Sequence, residues 1–287
     1  MTETSPPPGL RLETCRHGIF ATIEGDSHVS RSLQVYGEWC ELEIQLLTQI
    51  LKPGDFVVDA GANLGAHAVP FARAVGPRGR VYAFEPQPRV HAALQANAFL
   101  NGMGHLIPIL AGLGAEEGTA RFPDGVDEGI QNFGGVQLGP YMAPEREIKR
   151  AIRVPVAPLD EILTLDRLRL IKADVEQMEL ALIQGATETI RRHQPIVFLE
   201  NGKSSDTDAL VEAMEALGYR GYWQAAFLFQ ADNFRGESQN VFGNQACANI
   251  LFAPKAVKVT NMTPVTGAAS HPFRSQRDAA QEREEMP

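Results

Sequence analysis

Cysteines are few in this sequence and no long apolar run occurs, and each shortage argues against a class of protein. The three cysteines, Cys15, Cys40 and Cys247, are too far apart to indicate a disulfide framework or a zinc knuckle. No apolar stretch approaches the length of a membrane span, and the polar start MTETSPPPG does not look like a signal peptide. We therefore expect a cytoplasmic protein with no membrane partner.

Basic residues are also scarce relative to acidic ones. The 26 lysines and arginines against 35 aspartates and glutamates give a formal net charge of −9, and no basic stripe is visible. Because binding to nucleic acid needs such a stripe, we expect no nucleic-acid partner and favour a small or neutral substrate. The 287 residues, 44% hydrophobic, suffice for one α/β domain with extensions.

Apolar runs that resemble strands alternate with helical periodicity through most of the chain, which predicts a parallel sheet with crossover helices. We expect disordered tails at 1–8 and 259–287, an N-terminal extension with a helix at 9–53, and the main domain at 54–258. Pro70 is expected to bend the helix that begins near residue 64. Predicted strands cover 56–59, 80–84, 105–110, 119–122, 168–173, 196–199, 219–224 and 249–252, and predicted helices cover 38–51, 89–101, 178–191 and 206–217.

The stretch DFVVDAGANLGAHAVPFARAVGPRGRVYAFEPQP, residues 55–88, is the most informative part of the sequence. An apolar run ends at Asp59, glycines follow at 61 and 65, and a second apolar run ends at Glu85. Gly61 permits a sharp turn, and Gly65 lets the following helix pack near the strand. The carboxylate of Glu85 can accept hydrogen bonds from the two hydroxyls of a ribose. This pattern predicts a site for a nucleoside.

Seven sequence blocks follow one another in order between residues 36 and 255. They are YGEWCELE (36–43), VVDAGANLGAHAVPFA (57–72), VYAFEPQP (81–88), PLDEI (158–162), IKADVEQMELALIQGA (171–186), PIVFLE (195–200) and NILFAPK (249–255). Together they resemble the class I S-adenosylmethionine-dependent methyltransferases, and more narrowly the FkbM family. Gln177 stands where many members of that family have a glycine.

The resemblance implies a Rossmann-like α/β fold with a seven-stranded, mostly parallel sheet, an antiparallel last strand and helices on both faces. It implies S-adenosylmethionine as cofactor, lying across the carboxyl ends of the first strands. It also implies a place for each block residue: Asp59, Gly61, Asn63 and Gly65 around the methionine part, Glu85 on the ribose, and Ala111 and Gly112 near adenine. Glu38 or Glu41 would close the amino end of the cofactor, unless these residues are only exposed helix charges.

Carboxylates at the ends of the fourth and fifth predicted strands are the candidates for catalysis. Methyl transfer to oxygen requires that the hydroxyl proton leave, and Asp174, Glu176 and Glu200 are placed to take it as general bases. The alternative is that Asp174 and Glu176 only cap the following helix. Asp174, Glu200 and Asn201 also offer oxygen ligands for Mg²⁺, although we favour catalysis without a metal.

Other polar positions are weaker candidates. Lys172 is interpreted as a charge at a strand edge, and His67 as a structural histidine. Residues 123–147 lack periodicity and predict a lid, in which the NFGG segment at 132–135 could contact substrate or form a plain turn. Acceptor choice is expected to depend on this lid and on residues 225–246.

The sequence as a whole predicts an O-methyltransferase acting on a hydroxyl of a small metabolite, sugar or glycan. One alternative is a nicotinamide-dependent oxidoreductase, although the glycine loop lacks the second dinucleotide glycine and no Tyr-x-x-x-Lys pair occurs. Another is a non-catalytic module that binds S-adenosylmethionine. Neither the acceptor nor the oligomeric state follows from the sequence.

Overall fold

The computed structural model describes residues 9–123, 132–142, 150–202 and 206–273. The strands are β1 (Leu10–Cys15), β2 (Gly18–Ile23), β3 (Phe56–Ala60), β4 (Arg80–Phe84), β5 (Leu106–Ile109), β6 (Gly112–Leu113), β7 (Gly118–Pro123), β8 (Ala151–Ala157), β9 (Leu170–Ala173), β10 (Ile196–Glu200), β11 (Tyr219–Phe227), β12 (Ala246–Pro254) and β13 (Thr263–Pro264). The helices are α1 (Val29–Val35), α2 (Glu41–Ile50), α3 (Ala68–Val75), α4 (Pro88–Leu100), α5 (Gly139–Met142), α6 (Leu159–Ile162), α7 (Glu179–Gly185), α8 (Thr187–His193) and α9 (Thr207–Ala216), with a 3₁₀ turn at Ala268–Ser270.

A twisted sheet with strand order β13-β11-β12-β10-β9-β3-β4-β5 forms the centre of the molecule. The strands from β10 to β5 are parallel, whereas β12 runs antiparallel to both β10 and β11. Alternate residues of β3 face opposite layers: Val57 packs with the residues of α3 and α4, and Val58 with those of α7, α8 and α9. The mostly parallel α/β fold with helices on both faces is confirmed. The sheet has eight strands where seven were expected, because the two-residue strand β13 adds to β11 after the antiparallel strand β12 that was expected to be the last.

Two smaller sheets border the main one. Strands β1 and β2 form an antiparallel hairpin, and β6, β8 and β7 form a three-stranded sheet that continues from the end of β5. The sequence pattern did not predict the hairpin or β8. Within the described ranges, no helix combines the length and the apolar character needed to cross a membrane.

Two asparagines one helical turn apart join the hairpin to α4. The Asn97 side chain accepts a hydrogen bond from Ala21 N (2.6 Å) and donates to Ala21 O (3.2 Å) and Leu64 O (2.7 Å). Asn101 exchanges the same pair of hydrogen bonds with Ile19, at 3.1 and 2.8 Å. These side chains satisfy backbone groups of β2 that a neighbouring strand would otherwise satisfy. Asn97 therefore ties the hairpin to the loop that precedes α3.

Three predicted helices differ from those observed. The helix predicted from residue 64 begins at Ala68, which places Pro70 in the first turn, where its missing N–H breaks no intrahelical bond. The helix predicted over 178–191 is divided at Ala186 into α7 and α8. There α7 packs so closely that a Cβ on Gly185 would overlap the carbonyl oxygen of Gly114. The predicted start at Glu38 is also early, since α2 begins at Glu41.

The segment after residue 258 is ordered as far as residue 273, so the expectation of a disordered tail is wrong for this part. Strand β13 pairs with Tyr222 and Trp223 of β11, and Trp223 Nε1 donates to Ser270 Oγ at 3.0 Å. These contacts depend on the position of β11 and therefore leave no local periodicity in the sequence. Residues 1–8 and 274–287, predicted to be disordered, lie outside the described residues, and the predicted domain boundaries remain predictions.

We expect Asn97→Ala to lower the free energy of unfolding by about 3 kcal/mol, because three buried backbone groups lose their partner. Chemical denaturation monitored by circular dichroism measures this change. Gln95→Ala, on the exposed face of the same helix, is the control and should change stability by less than about 0.5 kcal/mol. Equal effects of the two substitutions would contradict the role given to Asn97.

Candidate active site

A cavity of about 540 Å³ opens at the carboxyl ends of β3, β4, β9 and β10. Eight of the predicted site residues line it: Gly61, Asn63, Glu85, Ala111, Gly112, Asp174, Glu176 and Glu200. Side chains not predicted to form the site also line it, among them Trp39, Cys40, Glu43, His67, Lys172, Cys247 and Asn249. The carboxyl edge of a parallel sheet is where α/β folds bind their ligands.

The glycine turn after β3 forms the floor of the cavity. Gly61 has φ +71°, and a Cβ at this position would overlap the carbonyl oxygen of Asp174, so only glycine fits. The amides of Gly61 and Ala62 both donate to Phe84 O at 3.0 Å, which holds the turn against the end of β4. Gly65 does not line the cavity. It has φ +95° and lies against Leu94 of α4, as expected for a packing glycine.

Glu85 lies at the end of β4 with its carboxylate buried beside the turn. Its Oε2 accepts a hydrogen bond from Asn63 N at 3.0 Å, and its Oε1 accepts one from Gln87 N at 2.8 Å. Burial raises the pKa of Glu85 to about 7, although these two N–H groups act in the opposite direction. Each oxygen retains a further lone pair, so the carboxylate can still accept hydrogen bonds from vicinal hydroxyls.

Lys172 is buried in β9, in the middle of the sheet, and its Nζ approaches three groups. It lies 3.5 Å from Asp59 Oδ1, 3.6 Å from Asp174 Oδ2 and 3.5 Å from Gly61 O. Burial alone would lower the pKa of Lys172, but the nearby carboxylates raise it above the usual lysine range, so the group stays an ammonium. The interpretation of Lys172 as a charge at a strand edge is therefore wrong, because β9 lies between β3 and β10.

Asp59 does not line the cavity, contrary to the place that the resemblance implied. It is fully buried, in register with Lys172 on the neighbouring strand, and its oxygens have no hydrogen-bond partner within the described part of the chain. Burial raises the pKa of Asp59, and Lys172 opposes that rise. Any influence of Asp59 on a ligand is therefore exerted through the Lys172 ammonium.

Three carboxylates converge at the ends of β9 and β10. Oxygen atoms of Asp174, Glu176 and Glu200 lie within 4.8 Å of one another. The charge of Asp174, followed by burial, raises the pKa of Glu200. Burial, followed by Asp174 and Glu179, raises the pKa of Glu176 to about 7. A cluster of this kind carries fewer negative charges than it has carboxyl groups, and it can take up or release a proton near neutral pH.

Neither Asp174 nor Glu176 caps α7, because its N-cap residue is Met178 and no side chain makes a capping hydrogen bond there. Glu179 Oε1, in the first turn of α7, accepts a hydrogen bond from Val175 N at 3.2 Å, which leaves Asp174 and Glu176 facing the cavity. Glu176 and Gln177 both have positive φ, 47° and 72°. Gln177 thus adopts, at a cost of about 1–2 kcal/mol, the backbone conformation that a glycine takes freely.

Asn201 and Glu38 do not line the cavity. Asn201 is fully buried and its Oδ1 accepts a hydrogen bond from Thr207 Oγ1 at 2.9 Å, so it does not complete a magnesium site with Asp174 and Glu200. Glu38 Oε2 accepts hydrogen bonds from Arg16 Nε (2.8 Å) and Phe234 N (2.7 Å). The expected contact of Glu38 with the cofactor is thus replaced by a structural ion pair.

Glu43, five residues further on, occupies the cavity wall instead. Its Oε1 accepts a hydrogen bond from Asn249 Nδ2 at 2.9 Å, and its Oε2 lies 3.4 Å from His67 Nε2. Helical spacing could have placed Glu43 on the buried face of α2, since Leu47 lies one turn later on that face. Sequence reasoning missed it because surface charge is the commoner role of a helix glutamate.

The segment 132–138 forms one wall of the cavity. Asn132, Phe133, Gly134 and Gly135 all line it, and Gln87 Nε2 donates to Phe133 O at 2.7 Å. The NFGG segment thus lies at the site, as the first of its two interpretations, contact with substrate, requires. Residues 124–131 and 143–147 of the predicted lid lie outside the described residues, and lid motion remains a prediction.

The sequence profile of the Methyltransferase FkbM domain matches residues 59–220, more than half of the chain. The chain belongs to the FkbM methyltransferase family. It is therefore an S-adenosylmethionine-dependent methyltransferase, and the nicotinamide oxidoreductase alternative is set aside. The profile begins at Asp59, so it includes the glycine turn, Glu85 and the three carboxylates.

Several named proteins are similar to the methyltransferase. Methyltransferase sdnD of Sordaria araneosa is 26% identical over 196 residues, covering 57% of this chain and 73% of that protein. The 31-O-demethyl-FK506 methyltransferase FkbM of Streptomyces tacrolimicus is 52% identical over 48 residues, 17% of this chain and 18% of that protein. The solved structure of methyltransferase FkbM from Methylobacillus flagellatus KT has 17% identity and a TM-score of 0.42, covering 73% of this chain and 50% of that one.

The cavity residues fit S-adenosylmethionine. Gly61 keeps the floor free of a side chain, and Glu85 presents carboxylate lone pairs at the strand end where a ribose diol would lie. Ala111 and Gly112 supply apolar wall beside Leu138, suited to a flat base. The individual contacts of these residues remain predictions.

We expect Glu85→Gln to weaken S-adenosylmethionine binding about 10- to 100-fold, since hydrogen bonds to a charged group contribute about 1.5–3 kcal/mol. Because the pKa of Glu85 is raised to about 7, wild-type affinity should fall as pH decreases from 8 to 6, where the carboxylate gains a proton. The variant should lose that pH dependence. Isothermal titration calorimetry measures both effects.

The matched control is Glu188→Gln, at a side chain that is 76% exposed, lies in the first turn of α8 and does not line the cavity. It should bind the cofactor like the wild type at every pH. An unchanged affinity of Glu85→Gln would remove Glu85 from the cofactor site.

Proposed function

We propose that the methyltransferase transfers the methyl group to a hydroxyl oxygen of a small metabolite, sugar or glycan end, and that it works in the cytoplasm. The observation that carries the proposal is the pair Asp174 and Glu200 at the cavity, with the Lys172 ammonium 3.6 Å from Asp174 Oδ2. A hydroxyl is a weak nucleophile until its proton is removed, whereas a neutral amine attacks through its free lone pair, and a carboxylate pair offers a place for the hydroxyl proton.

The parts that Lys172, Asp174 and Glu200 play in the proposed reaction follow from their charges. Asp174 raises the pKa of Glu200, so Glu200 holds a proton at neutral pH, and the Lys172 ammonium lies 3.6 Å from Asp174 Oδ2. The bound cofactor supplies an electrophilic methyl group on a sulfonium. Asp174 Oδ orients the acceptor hydroxyl and accepts its proton as the carbon–oxygen bond forms and the methyl–sulfur bond breaks, and Glu200 donates a hydrogen bond that keeps Asp174 in place.

The size of the cavity limits the acceptor. A volume of about 540 Å³ is that of a site for one drug-sized molecule, and the cofactor takes up much of it. The acceptor is therefore small, or inserts only one end past the wall at 132–138. The formal charge of −9 also argues against a nucleic-acid substrate. The name of the Streptomyces relative, a 31-O-demethyl-FK506 methyltransferase, agrees with an oxygen acceptor.

A panel of hydroxylated metabolites, sugars and glycan ends, incubated with isotopically labelled S-adenosylmethionine, tests the acceptor class. Mass spectrometry of the products should locate the label in an O-methyl group. Label found only on nitrogen, or only on RNA among added nucleic acids, would contradict the proposal.

With an acceptor in hand, Asp174→Asn should lower kcat about 10²- to 10⁴-fold, the usual contribution of a general base, and should leave cofactor binding within a few-fold. Glu200→Gln should have a smaller effect, because the amide still donates a hydrogen bond as the protonated acid does. Steady-state kinetics with Glu188→Gln as control measures the difference. Undiminished turnover by Asp174→Asn would exclude Asp174 as the base.

A further inference from the structure

Two cysteines that are 207 residues apart in sequence face each other on the cavity wall. Cys40 is the residue before α2 and has a left-handed backbone conformation, whereas Cys247 lies on β12. Their sulfur atoms are 3.8 Å apart, and a carboxylate oxygen of Glu43 lies within 4.8 Å of both. The assignments made above give these thiols no part in binding the cofactor or in methyl transfer.

The spacing of the sulfur atoms fits a shared metal ion better than a disulfide. Two thiolates about 2.3 Å from a tetrahedral Zn²⁺ are about 3.8 Å apart, the edge of the tetrahedron. A disulfide requires about 2.05 Å. The observed 3.8 Å therefore needs no rearrangement of the sulfurs to accept zinc, whereas a disulfide needs them to approach much more closely.

The surroundings of Glu43 provide a second, independent observation. His67 Nε2 is buried, has no hydrogen-bond partner in the described ranges, and lies 3.4 Å from Glu43 Oε2. Asn249 Nδ2 holds the other oxygen of the same carboxylate. Buried polar groups are rarely left without a partner, and a histidine beside a carboxylate is a common support of a metal ligand. The unsatisfied imidazole thus points to a ligand at this cluster.

We propose that Cys40, Cys247 and Glu43 bind one zinc ion, with His67 positioning the Glu43 carboxylate. Thiolates select borderline and soft metals such as zinc over Mg²⁺, which separates this site from the carboxylates at Asp174. Three protein ligands leave a fourth coordination position, and it faces the cavity because all three residues line it. The site goes beyond the proposed function and does not depend on which acceptor is methylated.

Cobalt(II) is the probe for this site, because thiolate ligands give it a sulfur-to-metal charge-transfer band in the near ultraviolet. The full chain, purified under reducing conditions and stripped with a chelator, should bind one equivalent of Co²⁺ with this band, and added Zn²⁺ should abolish it. Cys40→Ser and Cys247→Ser should each lose at least about 100-fold in affinity together with the band. His67→Ala should lose about 10-fold, as expected for a supporting group.

Cys15→Ser is the matched control and should keep the band, since Cys15 is buried elsewhere with its Sγ donating to Leu33 O at 3.7 Å. Circular dichroism and cofactor binding of each variant show whether it is folded. Three results would each overturn the proposal. The wild type could show no charge-transfer band, the Cys40→Ser/Cys247→Ser double variant could keep the band, or Cys40 and Cys247 could remain joined in a disulfide after reduction. None of these measurements requires methyl transfer. The zinc proposal can therefore fail without the proposed function failing, and the reverse also holds.

Discussion

One buried ammonium group connects the fold of this methyltransferase to its site. Lys172 is 3% exposed at the centre of the sheet, with Asp59, Asp174 and the Gly61 carbonyl all within 3.6 Å of its Nζ. Removing one partner of such a buried pair costs about 3–5 kcal/mol, because the other charge is left uncompensated. The glycine turn and the Asp174 carboxylate therefore both lie against the same side chain.

The sequence was sufficient for the parts of the site that are local. The apolar run before Asp59, the glycine at 61 and the run before Glu85 predicted a strand, a turn and a second strand, because each of these features is encoded within a few residues. The same reasoning placed Asp174 and Glu200 at adjacent strand ends. It could not place Lys172, because only the strand order puts β9 between β3 and β10.

The features that were missed depend on contacts between distant segments. Glu38 and Glu43 are both acids near the start of α2, and only the packing of that helix decides that Glu43 faces the cavity while Glu38 pairs with Arg16. The distance in sequence between Cys40 and Cys247 predicted no shared role for them. Strand β12, which runs antiparallel to β10, nevertheless brings the two cysteines together. Because β12 pairs with one edge of β11, residues 263–264 can pair with the other edge of that strand.

The central claim is that Glu200 holds a proton at neutral pH because the charge of the neighbouring Asp174, together with burial, raises its pKa. Infrared difference spectroscopy of the wild type against Glu200→Gln, recorded between pH 6 and 9, measures this protonation directly. At pH 7 the difference spectrum should contain the carbonyl stretch of one protonated carboxyl group that the wild type has and the variant lacks, since the pKa of Glu200 is raised. A difference spectrum with no such band at pH 7 would contradict it.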